Sequence, residues 1–372
     1  MNKKRFAVAV LEGDGIGPEI VREAEKILRV VESRSDAEFE LRHAPFGARA
    51  YFETGRAFPD ETKKICDAAD AILKGPVGLS HADSLKIPIE ERPERGAILP
   101  LRQRYDTFAN YRPVFLPPEL IRFSPLKPSV VRGGVDILMI RELVGGLYFG
   151  AKEEGSTAEG LRYVKETLEY NEEEIRRVLA IAFEEARRRR KVLHNIHKSN
   201  VLLSSVLWNE VCAEIECGFP DVRVVHMIVD AAAMELVVNP CQFDVMAMEN
   251  VFGDILSDLG GGVIGSLGLM PSACIGPDKA YYEPSHGSAP DIAGQDRANP
   301  YSMIGSVALM LDKSFGMARE AQAIWQAMRR VFDAGFVTAD LAQAEDRGNV
   351  LGTAAFGQKT AEALEAILAS SR

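Results

Sequence analysis

The chain has 372 residues, a formal net charge of -10 and 47% hydrophobic residues. That length holds roughly two domains with large cores, at about 150 residues each. The acidic balance excludes a nucleic-acid-binding surface, and no apolar run approaches the roughly 18 residues of a membrane span. Five cysteines, an odd number without a Cys-x-x-Cys pair, fit reduced thiols in a cytoplasmic protein and speak against structural zinc.

Residues 1–5 are basic, but the apolar run 6–11 that follows is too short for a signal peptide and predicts a buried strand instead. Residues 12–17 predict a turn and 18–33 a helix, with Ile20, Ala24, Ile27, Leu28 and Val31 at helical spacing. The turn Gly13-Asp14-Gly15-Ile16-Gly17-Pro18 invites a dinucleotide fingerprint, yet the third glycine position falls on Pro18. A non-Rossmann chain with a tight turn capping its first helix is the better reading. Further strands are expected at 71–73, 135–140, 192–196, 222–229 and 243–248, and helices at 61–69, 172–190, 202–216, 301–315, 318–332 and 354–369. Their alternation predicts an α/β fold.

Prolines 113, 117, 118, 125 and 128 predict a connection leaving one domain, and glycines 260–262, 265 and 268 mark its return. Residues 145–170 carry aromatics and alternating charges, as in an arm used for oligomerisation. The basic run 187–191 ends a long helix, where cations complement the dipole.

Asp254 and Asp258 lie four residues apart, on one face if the segment is helical, and offer hard oxygen ligands to a divalent cation. A solvated helix face is the alternative, but Lys and Arg are absent from 231–275. Asp230 follows the apolar run 224–229 and is expected at the end of a buried strand, where α/β enzymes place their sites. Arg102, Arg112 and Arg141 each sit among apolar residues, pointing to an anionic substrate or to internal salt bridges. Lys198, after a buried strand, is a candidate base, and Tyr148 a candidate proton donor unless it is a core tyrosine. The loop from Glu283 through His286, Gly287, Ser288, Ala289, Asp291 and Ile292, with Asn299 beyond it, suits a pyrophosphate and an unphosphorylated ribose, or is a plain surface loop.

Taken in order, residues 13–19, 108–113, 135–150, 198–200, 253–259 and 286–300 resemble the metal-dependent, NAD(P)-linked β-decarboxylating dehydrogenases, the isocitrate/isopropylmalate family, essentially end to end. The resemblance implies a bilobed fold with a discontinuous large domain (1–107 and 265–372) that binds nucleotide. A smaller α/β domain (108–264) would carry the dimer arm. It further implies that Arg102, Arg112 and Arg141 clamp the malate carboxylates and that Asp230, Asp254 and Asp258 hold Mg2+ or Mn2+. Lys198 and Asp230 would come across the interface of a homodimer. Lys198 would remove the C2 hydroxyl proton, hydride would pass to NAD, and Tyr148 would protonate carbon after decarboxylation.

Residues 94–102 resemble the isopropylmalate enzymes, placing Ile98 and Leu99 where an alkyl group is held, whereas isocitrate enzymes carry polar Ser and Asn there. The resemblance thus implies oxidation of 3-isopropylmalate in leucine biosynthesis, with tartrate, D-malate or another 3-substituted malate as the rival substrates. A regulatory subunit without turnover is the rival of another class. His197 stands where isopropylmalate enzymes commonly have Asp, which removes a negative neighbour from Lys198, and residues 79–85 lack their usual glycine-rich continuation.

Overall fold

The computed structural model describes residues 3–370. In chain order its main strands are β1 (Lys4–Leu11), β2 (Ala37–His43), β3 (Ala71–Lys74), β4 (Ala109–Leu116), β5 (Val135–Glu142), β6 (Lys152–Ser156), β7 (Arg162–Glu166), β8 (Val192–His197), β9 (Arg223–Ile228), β10 (Val245–Met248), β11 (Pro271–Ile275) and β12 (Ala280–Pro284). They fall into two compact units, one of residues up to 105 together with those from 265 onward, the other of residues 106–264.

In the first unit the strand order is β2-β1-β3-β12-β11, parallel except for β11. Val8, Ala9, Val10 and Leu11 are fully buried, as befits a central strand covered on both faces. Sequence reasoning passes over β2 because Glu38, Glu40 and Arg42 interrupt its apolar residues, a pattern suited to a sheet edge. The first helix, Gly17–Arg34, begins with a proline in its opening turn and turns Ile20, Ala24, Ile27, Leu28 and Val31 inward. It packs against the helices Tyr301–Lys313 and Thr353–Ser370.

The glycine turn before that helix is a structural clamp. Buried Asp14 accepts hydrogen bonds from the backbone N–H groups of Ala48, Arg49 and Gly78, each at 3.0 Å. Gly15 has φ +56°, and a Cβ there would stand 2.0 Å from the Ser288 carbonyl oxygen. Only glycine permits this close approach.

In the second unit the order is β4-β5-β10-β8-β9, with β4 antiparallel to β5 and the other pairs parallel. The proline-rich connection expected from residue 113 begins later, because Pro113 lies inside β4. It faces Leu138 of β5, whose own N–H is given to the carbonyl of Asp244, the residue before β10, at 2.8 Å. Pro113 therefore occupies a non-hydrogen-bonded pair, and its missing donor costs the β4–β5 ladder nothing.

Residues 222–229 are also corrected: β9 closes this strand order with β8 as its partner, and it is half-exposed rather than buried. Asp230 lies in the first turn of the helix Val229–Val238 that follows. The expected arm is an antiparallel hairpin of β6 and β7, exposed except at Gly155 and Tyr163.

The helix Glu172–Arg188 starts at a capping box in which Asn171 and Glu174 satisfy each other's backbone N–H groups. The basic run at its end is structural. Arg189 pairs with Asp136 at 2.7 Å and Asp244 at 2.8 Å, and Lys191 pairs with Asp221 at 3.1 Å. All five cysteines are free thiols, and no helix among the described residues is long and apolar enough to cross a membrane.

His194 on β8 is buried and packs its ring at a tilt against Phe243, ring centroids 4.7 Å apart. Burial first, then Arg223, push its pKa down to about 4, against about 6.5 in the unfolded chain. A folded value below the unfolded one means that the stabilisation is complete above about pH 6.5. It is lost as pH falls toward about 4, and amounts to on the order of 3 kcal/mol. Thermal melts should show a steeper acid limb for the wild type than for His194→Phe; equal limbs would remove this residue from the acid response.

Candidate active site

The helix Asn250–Ile264 starts directly after β10, at the C-terminal end of a parallel strand. Its inward face carries Gly253, Leu256, Ser257 and Gly260, while Asp254 and Asp258 share the more open side with Ile255. The predicted helix and the common face of the two aspartates are thus present.

Two buried arginines hold these carboxylates in place. Arg141, at the end of β5, is 1% exposed and pairs through Nη1 with Asp254 Oδ1. Its Nε and Nη2 donate to Asn250 Oδ1 at 3.1 and 2.8 Å. A fork of this kind fixes the guanidinium plane as a single ion pair does not. Gly253 lets the helix settle on this side chain, because a Cβ there would meet Arg141 Cγ at 2.4 Å.

Arg112 on β4 donates from Nε to Asn110 Oδ1 at 2.8 Å and from Nη1 to Ser257 Oγ at 2.7 Å. The same Nη1 stands 3.4 Å from Asp258 Oδ1. Burial pushes the Asp258 carboxyl up from its ordinary range, and Arg112 works against that shift. Tyr148, in the turn Gly146–Tyr148 after β5, donates its hydroxyl to Asp254 Oδ2 at 2.8 Å. Arg112, Arg141, Tyr148, Asp254 and Asp258 therefore form one constellation.

Lys198 and Asp230 form a second pair. Lys198 follows β8, its backbone N–H donates to Ser205 Oγ at 3.0 Å, and its Nζ lies 2.5 Å from Asp230 Oδ1. That hydrogen bond from Lys198 holds the Asp230 carboxyl below its usual range. His197 turns its Nδ1 toward Ser199, at 3.0 Å from Oγ. Among the described residues, no three Asp, Glu, His or Cys side chains stand close enough to hold a metal ion. One chain does not bring Asp230 to Asp254 and Asp258.

The remaining candidates lie in the first unit. Arg102 is buried and donates from Nε to Tyr281 OH at 3.2 Å. Ile98 ends a π-helical turn, Pro93–Ile98, and Leu99 opens the short helix Leu99–Arg104; both are half-buried. Glu283 differs from its expected place in a loop: it lies in β12 and forms a buried ion pair with Lys74 at 2.5 Å.

Ser288 is held from both sides, its Oγ donating to Gly78 O and its carbonyl accepting from Ile16 N, each at 2.8 Å. Ala289 adopts φ +37°, Ile292 donates its N–H to the Ala289 carbonyl at 3.2 Å, and Asn299 binds Asp340 at 3.1 Å. Gly287 and Asp291 are exposed. His286 places Nδ1 2.9 Å from the Gly287 carbonyl, while its Nε2 is buried without a hydrogen-bond partner.

These observations fit the implied groups. Two carboxylates one helical turn apart are hard oxygen donors, and Mg2+ commonly takes one or two of these with substrate and water completing the shell. The partnerless His286 Nε2 is a buried acceptor beside a loop of small residues, suited to a ligand N–H donor. Sequence reasoning missed Asn110, Asn250 and Ser257, which orient the arginines. No local signal marks Asn250 and Ser257, whose arginine partners stand 109 and 145 positions away, whereas Asn110 lies two residues before Arg112 on the same strand.

Buried guanidiniums thus stand beside half-exposed carboxylates, with a tyrosine hydroxyl on one of them. Residues 7–360 match the isocitrate/isopropylmalate dehydrogenase family. The 3-isopropylmalate dehydrogenase of Moorella thermoacetica is 48% identical over 360 residues, 97% of this chain and 99% of that protein. The 3-isopropylmalate dehydrogenase of Geobacter sulfurreducens is 48% identical over 361 residues, covering 96% and 99%. The crystal structure of isocitrate dehydrogenase from Methylococcus capsulatus matches with a TM-score of 0.83 and 32% identity over 97% of this chain and 99% of that one. The chain belongs to the isocitrate/isopropylmalate dehydrogenase family, and it is an oxidoreductase of the decarboxylating dehydrogenase class.

Proposed function

We propose that this chain oxidises 3-isopropylmalate at C2 and removes its β-carboxylate, giving 4-methyl-2-oxopentanoate for leucine biosynthesis. The observation that carries the reading is the joining of Arg141 and Tyr148 on Asp254. Such a joining suits a carboxylate-binding fork, a proton donor and a cation ligand acting at one point. When bound, NAD accepts the C2 hydride, and Mg2+ or Mn2+ supplies Lewis acidity at the C2 oxygen.

This chain's own residues do the rest. Arg102, Arg112 and Arg141 bind the malate carboxylates, while Ile98 and Leu99 receive the alkyl group. Lys198 takes the hydroxyl proton as the hydride leaves C2. Loss of CO2 leaves the bonding pair on the enolate, and Tyr148 delivers the proton that C3 then acquires. Glu283, His286, Gly287, Ser288, Ala289, Asp291, Ile292 and Asn299 frame the nucleotide, with Asp291 accepting the ribose hydroxyls and repelling a 2'-phosphate.

Asp230 completes the cation site from a second copy, bringing Lys198 with it. Supporting this homodimer are the exposed apolar side chains Val201 and Leu203 beside Lys198, and Met234 and Val238 on the helix that carries Asp230.

NADH formation with 3-isopropylmalate, malate, tartrate, isocitrate and homoisocitrate tests the reading. Isopropylmalate should be oxidised fastest, and EDTA should stop the reaction until Mg2+ or Mn2+ is restored. Faster turnover of isocitrate would overturn the alkyl pocket. Faster turnover with NADP than with NAD would overturn the role of Asp291.

A further inference from the structure

Behind Arg141 lies a buried acidic cluster that the reaction above does not use. Glu142 is fully buried and Glu249 is 7% exposed. Both face one hydroxyl: Tyr170 OH stands 3.1 Å from Glu142 Oε2, 3.2 Å from Glu249 Oε2 and 3.0 Å from the Asn250 amide nitrogen. The ring is fixed there by Gly145 and Gly146, where a Cβ would approach Tyr170 to 2.7 and 2.3 Å, and by an edge-on contact with Trp208.

Counting hydrogens decides what this cluster is. The Asn250 amide donates to the phenolic oxygen, and the single phenolic hydrogen serves one carboxyl oxygen. A second hydrogen, carried by a carboxyl itself, satisfies the other contact without dividing the phenolic hydrogen between two acceptors. Two ionised carboxylates on one buried hydroxyl would otherwise repel, and against this stand the backbone N–H groups of Val144 and Gly145 on Glu142, that of Phe252 on Glu249, and Arg141 beside Glu249.

The consequence reaches the site through one residue. Asn250 binds Tyr170 through its backbone, the Gly145 carbonyl through Nδ2 at 3.0 Å, and Arg141 through Oδ1 at 2.8 Å. We propose that Glu142, Tyr170 and Glu249 form one proton-sharing unit that, through Asn250, positions Arg141 to receive the substrate carboxylate. The unit consists of positioning residues, and its effect on the substrate rests on the function proposed above.

Tyr170 and, from the helix Glu172–Arg188, Glu174 face Glu142, while Tyr170 and Arg141 face Glu249. Burial pushes the Glu142 carboxyl up to about 7, raises that of Glu249 and keeps Tyr170 a phenol. Both carboxyls meet at the Tyr170 hydroxyl, and the proton on Glu142 leaves as pH rises through neutrality.

Infrared difference spectra of the chain without ligands between about pH 6 and pH 8 test the proton directly. A neutral-acid carbonyl band should be present at the lower pH and lost at the higher, and it should be absent from Glu142→Gln and from Glu249→Gln. Kinetically, Tyr170→Phe should raise the KM for 3-isopropylmalate about 10-fold with kcat within about 3-fold. Glu142→Gln should flatten the rise of KM with pH while melting like the wild type. A wild type without the carbonyl band, or a Tyr170→Phe protein with unchanged KM, would overturn the proposal. If 3-isopropylmalate is not a substrate, the function fails, while the infrared result still decides the proton.

Discussion

Lys198→Ala should lower kcat by about 1,000-fold, the range that removal of a positioned general base produces. The fold should not suffer. The Lys198 ammonium pairs at 2.5 Å with Asp230, whose side chain is 70% exposed, and ion pairs in such water contribute about 1 kcal/mol or less. Melting temperature should therefore stay within a few degrees of the wild type, and KM should move far less than kcat. The diagnostic measurement is rescue: small primary amines added to Lys198→Ala should restore turnover in proportion to their unprotonated form. Lys198→Arg, with a planar group that does not deprotonate at these pH values, should remain inactive. Retention of near wild-type turnover by Lys198→Ala would assign the proton transfer to another group.

Asp254→Asn should lower kcat/KM by about 1,000-fold, corresponding to several kcal/mol of lost charge stabilisation. The amide removes the proposed cation ligand and also the negative partner of buried Arg141. Saturating Mn2+ should recover only part of the loss. Neither Asp254→Asn nor Lys198→Ala should turn over alone. After equal amounts are unfolded and refolded together, random pairing makes about half the dimers mixed, each with one intact site. About one quarter of wild-type activity should then appear. No recovery, with mixed dimers shown to form, would place Lys198 and Asp254 of a single chain in the same site.

The residues that announced themselves in sequence are those whose environment is local. The strand and helix at the start follow from consecutive apolar and periodic residues, and β8 and β10 are runs covered on both faces. β4 was obscured because Arg112 and Pro113 interrupt it, and these are tolerated for reasons that lie elsewhere: Ser257 meets the guanidinium, and Leu138 points its N–H away. Asp254 and Asp258 were legible from a helical turn's spacing, whereas their arginine partners stand 113 and 146 positions away. The hydroxyl shared by Glu142 and Glu249 is illegible for the same reason, since it depends on a tyrosine 79 residues before Glu249. Sheet register, not pattern, brings such groups together.

Gly253 bears on how freely this chain can change. A Cβ at that position would stand 2.4 Å from Cγ, 2.6 Å from Cβ and 2.9 Å from Cδ of Arg141. The constraint at this position is therefore steric and exerted on the stem of the Arg141 side chain, even though residue 253 itself carries no chemistry. In a library saturating positions 250–264, selection for folding alone should still admit alanine at 253, by letting the helix drift outward and carry Asp254 with it. Selection for turnover should not. Two residues along, at exposed Ile255, both selections should be permissive, so that tolerance alternates along one helix according to what the opposite strand must hold still.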